Sequence, residues 1–192
     1  MKSNNNPIVI YNAKTIGSFF LLGFIAYGFG RQLFESEILS EKYLGAVLII
    51  INSIIVLFIG ILLSKTLRKH NVLVANIYIF TRVFEATALV SIVLNLIPSI
   101  SVSNNYSYLI AMLVLGIGSI PMCLTLFRQR LSPSWLAIWG MIGYAVFAFG
   151  FLMEFFGKKW SMYLLALGGI WEITFAIWLI IKGGRNKETT NL

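Results

Sequence analysis

Residues 75–88, ANIYIFTRVFEATA, lie inside the third of six long apolar stretches and carry two charged side chains near its middle, Arg82 and Glu85. Each stretch has about 20 residues, the length of an α-helix that crosses the hydrocarbon core of a bilayer. A charge at the centre of such a helix costs roughly 2.5–3.5 kcal/mol on insertion scales. The rest of the sequence must therefore provide a way to accommodate Arg82 and Glu85.

The composition supports a membrane protein. The chain has 192 residues, of which 58% are apolar and 11% are charged, whereas a soluble domain carries about 25% charged residues. We therefore expect an all-α integral membrane bundle of six transmembrane helices. The predicted spans are 15–34, 43–64, 72–97, 106–127, 134–156 and 160–181.

These spans divide the chain into three parts. Residues 1–14 are predicted to be a polar, flexible cytoplasmic segment, residues 15–182 the transmembrane domain, and residues 183–192 a cytoplasmic tail. A cleaved signal peptide is the competing interpretation of the first apolar stretch. The long polar leader, the length of the stretch and the lack of an A-x-A site favour a retained helix.

Lysine and arginine predict the orientation. Ten of the fifteen fall in the N-terminus, the second and fourth loops and the tail, four fall on the other side, and Arg82 lies within a span. The ten are Lys2, Lys14, Lys65, Arg68, Lys69, Arg128, Arg130, Lys182, Arg185 and Lys187. The positive-inside rule then places both termini in the cytoplasm. The net charge of +8 is thereby explained by orientation and by attraction to anionic lipid, without a nucleic-acid partner.

Polar residues in three spans are predicted to share one depth. Glu85 and Glu172 lie near the middle of the third and sixth spans, and Asn52 lies near the middle of the second. Arg82 precedes Glu85 by three residues and follows Tyr78 by four, so these three side chains share a helix face. Because one guanidinium has five N–H donors, we expect Arg82 to lie between Glu85 and Glu172.

Small residues are expected to let helices approach closely. Gly168, Gly169 and Ala176 flank Glu172 on one helix face, so a neighbouring helix could bring a partner to the carboxylate. In the fourth span, Gly116, Gly118 and Pro121 predict a kink or close packing in the second half.

No catalytic, metal or cofactor site is predicted. The chain has one histidine, His70, in a basic loop, one cysteine, Cys123, in the fourth span, and no aspartate. A Ser-His-Asp arrangement needs an acidic residue beside a histidine, and a zinc site needs several His or Cys ligands. We therefore expect a protein that is not an enzyme.

Several motifs resemble one bacterial membrane family. They are LRKHN at 67–71 with TRVFE at 81–85, RLSPSWL at 130–136 with WGMIG at 139–143, and Glu172 with IWLIIKG at 177–183. From about residue 43 to 184 the chain resembles the family catalogued as domain of unknown function 4386. The resemblance implies a multi-span bacterial protein of the cytoplasmic membrane with no assigned activity. It also singles out Arg82, Glu85 and Glu172.

The sequence is compatible with two functions. If all three charged groups are ionised, the cluster carries one net negative charge, which a proton, a cation or a ligand amine could balance. The first hypothesis is therefore binding or translocation of a small polar or cationic species. The alternative is an accessory or regulatory protein that pairs with another membrane protein, in which the Arg–Glu pairs only fix helix register.

Overall fold

The computed structural model describes residues 10–96, 104–158 and 160–182. In those residues it contains six α-helices, each with a segment long and apolar enough to cross a membrane. They are α1 (Ala13–Phe34), α2 (Leu39–Arg68), α3 (Val72–Val93), α4 (Asn104–Arg128), α5 (Ser134–Phe155) and α6 (Ser161–Ile181). A short 3-10 turn, Leu94–Leu96, follows α3. The predicted all-α fold with six candidate spans is confirmed.

The six helices form a closed ring in chain order. Each helix packs against its neighbours in the sequence, and α1 also packs against α6. In such a ring α1 stands opposite α4, and α3 stands opposite α6. A side chain that links either pair must therefore reach across the interior of the bundle.

Helix α2 and the segment before α1 show two differences from the prediction. Helix α2 has 30 residues and begins at Leu39, because Glu41 in its first turn favours the positive end of the helix dipole instead of ending the helix. Near the N-terminus, Ile10 is 3% exposed and the Tyr11 backbone N–H donates to Thr66 Oγ1 at 3.2 Å. Ile10 and the Tyr11 backbone therefore pack against the bundle before α1 begins. Predictions for residues 1–9, for the end of the third span at Pro98 and for the tail 183–192 lie outside the described residues.

The core differs between the two ends of the bundle. We call the end at which the chain turns at residues 69–71 and 129–133 the basic end, and the end with residues 35–38 and 156–158 the opposite end. In the half nearer the basic end, one apolar cluster receives buried side chains from all six helices. In the half nearer the opposite end, the buried apolar side chains form two separate clusters.

Glycines bring several helices into close contact. A Cβ on Gly17 of α1 would lie 2.5 Å from the Ala176 carbonyl oxygen of α6. In α4, a Cβ on Gly116 would lie 2.8 Å from Ala148 Cβ, and one on Gly118 would collide with Thr81 of α3. The predicted close packing of α4 is confirmed, and the ring closes where Gly17 faces Ala176.

The Gly17 contact gives a test of ring closure. Gly17→Ala should destabilise the protein by about 1–3 kcal/mol, the usual cost of overpacking, because its new methyl group meets backbone that cannot turn away. Gly28→Ala is the matched control on the same helix, since nothing lies within 4 Å of a Cβ there. Thermal unfolding in detergent measures both variants. Equal melting temperatures would contradict the proposed role of Gly17.

Candidate functional site

Arg82 lies at the centre of a buried cluster on α3. It is ten residues from the start of the helix, about 15 Å along its axis, and its side chain is 3% exposed. Arg82 Nε donates to Tyr78 Oη at 3.0 Å, and Nη1 donates to Glu85 Oε2 at 2.8 Å. The helical spacing of these three residues therefore produces the shared face that the sequence predicts.

Two other helices enclose the Arg82 side chain. The guanidinium carbon lies 5.5 Å from the ring centre of Phe20 on α1 and 5.2 Å from that of Tyr78. An aromatic face at this distance stabilises a cation. On α2, Gly60 provides the space for the stem, because a Cβ there would lie 2.8 Å from Arg82 Cβ. Helices α1, α2 and α3 thus surround the charge.

Glu172 reaches Arg82 from the other side of the ring. Its Oε1 lies 3.7 Å from Arg82 Nη2, which is too long for a hydrogen bond, and buried Nη2 has no hydrogen-bond partner. The Glu172 side chain is 22% exposed, against 10% for Glu85. The predicted three-residue cluster is present, with Glu85 as the close partner and Glu172 as the distant and more accessible one.

Tyr144 on α5 fixes the Glu172 carboxylate. Tyr144 Oη donates to Glu172 Oε1 at 2.7 Å. The Tyr144 ring meets the Trp171 ring edge to face, with centres 5.2 Å apart, and Trp171 Nε1 donates to the Leu136 carbonyl oxygen at 2.7 Å. This arrangement joins α5 to α6 at the depth of the cluster.

The small residues of α6 turn toward two neighbours. A Cβ on Gly168 would lie 3.5 Å from the Phe147 ring of α5, and one on Gly169 would lie 3.2 Å from the Phe24 ring of α1. Ala176 meets Gly17 of α1. They therefore bring α1 and α5 against α6, while Arg82 approaches Glu172 across the interior.

Asn52 does not join the cluster. Its side chain is buried on α2, but its Oδ1 faces α1, 3.0 Å from the position of a Cβ on Gly23. Asn52 precedes Gly60 by eight residues, about 12 Å along the axis, and Gly60 is the residue that faces Arg82. The adjacent Ser53 is the α2 residue that bonds α3, since its Oγ donates to the Ala86 carbonyl oxygen at 2.8 Å.

Two residues that complete the cluster, Phe20 and Tyr144, were not predicted from the sequence. Both are aromatic residues in apolar spans, where aromatic side chains are common, so neither residue type carries a signal of its own. The spacing of Gly140 and Gly143 around Tyr144 was the available indication, because small residues mark a face where another helix comes close.

The arrangement can hold a positive charge. Two carboxylates share one guanidinium, so the ionised cluster has a net charge of −1. The buried Nη2 of Arg82, which lies beside Glu172, has no hydrogen-bond partner. Among the described residues, no group of three His, Cys, Asp or Glu side chains could hold a metal ion. The chemistry of the cluster is therefore that of paired carboxylates around an arginine.

The comparisons with known proteins identify the family. The family model for a domain of unknown function, DUF4386, matches residues 15–183. This chain belongs to the DUF4386 family. The DUF4386 match covers all six helices, so the whole bundle is the family domain. No curated protein and no solved structure matched the chain.

A double-mutant cycle tests the unequal roles of the two glutamates in this DUF4386 protein. Arg82→Leu leaves Glu85 buried without its partner and should cost about 3–5 kcal/mol. Adding Glu85→Gln should recover more stability than adding Glu172→Gln, because Glu85 is hydrogen bonded and more buried. Unfolding of six proteins in detergent, the wild type, the three single variants and the two double variants, gives both coupling energies. A coupling to Glu172 as large as that to Glu85 would contradict this ranking.

Proposed function

We propose that this multi-pass membrane protein binds a small cationic species, in the class of a proton, a monovalent cation or a small amine, at the Arg82–Glu85–Glu172 cluster. The observation that carries the proposal is that two carboxylates share the Arg82 guanidinium, which leaves one negative charge unbalanced. Arg82 Nη1 is hydrogen bonded to Glu85, whereas the buried Nη2 of Arg82 has no hydrogen-bond partner and lies 3.7 Å from Glu172.

The charge balance supports this proposal. A buried charge is costly unless a partner compensates it, and one of the two carboxylates has no cation of its own. Glu172 is the more accessible carboxylate, and its Oε1 accepts a hydrogen bond from Tyr144. A cation bound at the cluster, or a proton on one of its two carboxylates, would bring the net charge of the cluster to zero. Ionisable groups within membrane spans generally mark ion or proton sites.

The proposed role is not catalytic. His70 lies in the turn at residues 69–71 at the basic end, whereas the cluster lies near the middle of α3. If the Arg–Glu pairs are instead only structural, the protein is better regarded as an accessory protein that pairs with another membrane protein. The two hypotheses differ in whether a ligand of the cluster changes the stability of the protein.

Stability in different cations distinguishes the two readings. A ligand that binds only the folded state stabilises it by about 2.7 kcal/mol at 100 times its Kd. We therefore expect sodium, potassium, methylammonium or a lower pH to raise the melting temperature of the wild type in detergent at constant ionic strength. Glu172→Gln should abolish most of that response.

The matched control for this experiment is Glu37→Gln, which removes an exposed carboxylate at the opposite end. It should respond as the wild type does, since it does not touch the cluster. If wild type and Glu172→Gln respond equally to every cation and to pH, the binding proposal fails and the accessory reading gains support.

We further propose that both termini lie in the cytoplasm and that the protein resides in the cytoplasmic membrane of a bacterium. The support is the excess of lysine and arginine at the basic end, which includes Lys65, Arg68, Lys69, Arg128 and Arg130. Positively charged loops remain preferentially on the cytoplasmic side.

Single cysteines test the orientation. Cys123 is buried, so Cys123→Ala provides a background for Glu37→Cys at the opposite end and Lys69→Cys at the basic end, both exposed positions. A membrane-impermeant maleimide should label Glu37→Cys in intact spheroplasts and Lys69→Cys only after lysis. The reverse pattern would overturn the orientation.

A further inference from the structure

One face of α1 runs from the cluster to the opposite end of the bundle. Its residues recur every three or four positions, so they lie above one another on the helix. Phe20 faces Arg82, and Gly23 faces Asn52 of α2. Tyr27 follows, and Arg31 then forms an exposed ion pair with Glu35 at 2.7 Å. Polar groups thus follow this face from Arg82 to the surface of the opposite end.

Tyr27 is the central member of this face. Its hydroxyl forms a hydrogen bond with that of Tyr108 on α4. Helices α1 and α4 stand opposite each other, so this bond crosses the interior of the ring. Both hydroxyls interact electrostatically with Glu85 and with Arg31. The pair is therefore situated between the cluster and the charged opposite end.

The apolar core is divided on the side of the cluster that faces the opposite end. Toward the basic end, one continuous cluster with side chains from all six helices, including Leu63, Met122 and Phe175, fills the interior. Toward the opposite end, the core is divided in two, and Tyr108 packs against both parts. The Tyr27–Tyr108 pair therefore lies where the apolar core is divided, on the side of the Arg82 cluster that faces the opposite end.

We propose that protons reach the Arg82–Glu85–Glu172 cluster from the opposite end of the bundle, by way of the Tyr27–Tyr108 hydroxyl pair. This inference rests on the proposed function and narrows its cation to a proton. A hydrogen-bonded pair of hydroxyls can pass a proton by exchanging donor and acceptor roles, which it cannot do for a metal ion or an amine. In the orientation proposed above, the protons come from outside the cytoplasm.

The transfer leaves the tyrosines unchanged. One hydroxyl of the pair gives its proton to the Glu85 carboxylate, through a water molecule or directly, and takes the proton of its partner hydroxyl. The partner regains a proton from hydronium at the Arg31–Glu35 end, which leaves water. Glu85 becomes a neutral carboxylic acid. Arg82 keeps Glu172 as its counter-ion, with the unpartnered Nη2 of Arg82 3.7 Å from Glu172 Oε1. The charged and titratable groups around Glu85 are Arg82, Glu172, Tyr27, Tyr78 and Tyr108.

The experiment measures how fast the cluster takes up a proton. The full-length protein in lipid vesicles is given a rapid pH jump on both sides, and the carboxyl infrared band that is lost in Glu85→Gln is followed in time. In the Tyr27→Phe/Tyr108→Phe double variant the half-time should lengthen about tenfold or more, since a positioned proton-transfer group commonly contributes at least that much. The final amplitude should be unchanged.

Three comparisons make the result decisive. The double variant leaves neither hydroxyl unpaired, so it avoids the cost of a single buried unsatisfied group, and its melting temperature confirms folding. Tyr163→Phe is the control, because it removes a 78% exposed tyrosine hydroxyl near the same end and should not alter the rate. In vesicles of known orientation, a pH jump on the basic side alone should give no rapid signal.

The outcomes separate this inference from the proposed function. Equal half-times in wild type and double variant, or an equally rapid response to protons from the basic side, overturn the route. A Glu85 band that never changes with pH also overturns it. The proposed function then stands or falls separately, on whether another cation stabilises the wild type and not Glu172→Gln.

Discussion

The cost of holding the Arg82 charge near the middle of a membrane-spanning helix governs the interior of this protein. A guanidinium there is tolerated only if its donors and its face find partners. Tyr78 and Glu85 supply hydrogen bonds from its own helix, Phe20 supplies an aromatic face from α1, and Gly60 on α2 leaves room for the stem. Three consecutive helices are thus shaped around one side chain.

The remaining helices place a second carboxylate beside this charge without completing its pairing. Glu172 is held by Tyr144, and Tyr144 packs against Trp171, so α5 and α6 position the carboxylate together. A purely structural ion pair would be expected to close this gap, since the strength of a buried pair depends on good geometry. The longer contact leaves Glu172 without a hydrogen bond to Arg82.

Hydropathy and spacing predicted most of the fold and part of the site. The six apolar stretches gave the helices, and the three-residue spacing of Arg82 and Glu85 gave their shared face. The position of Glu172 along its span correctly predicted that it lies beside Arg82, but the same estimate failed for Asn52. Position along a span does not say which way a side chain points around the helix: Ser53 faces α3, whereas Asn52 faces α1. Phe20 and Tyr108 could not be assigned, since contacts across a ring depend on how the ring closes.

Several side-chain hydrogen bonds that join helices fall into two groups. Thr66 and Ser53 fasten α2 to the start of α1 and to α3, while Tyr144 and Trp171 fasten α5 to α6. The 3.7 Å contact of Arg82 with Glu172 links α3 to α6 without a hydrogen bond, whereas Gly17 brings α1 directly against the backbone of α6. Separating Arg82 from Glu172 would therefore break no hydrogen bond between helices, and the relative position of α3 and α6 depends on the packing of the helices around the ring.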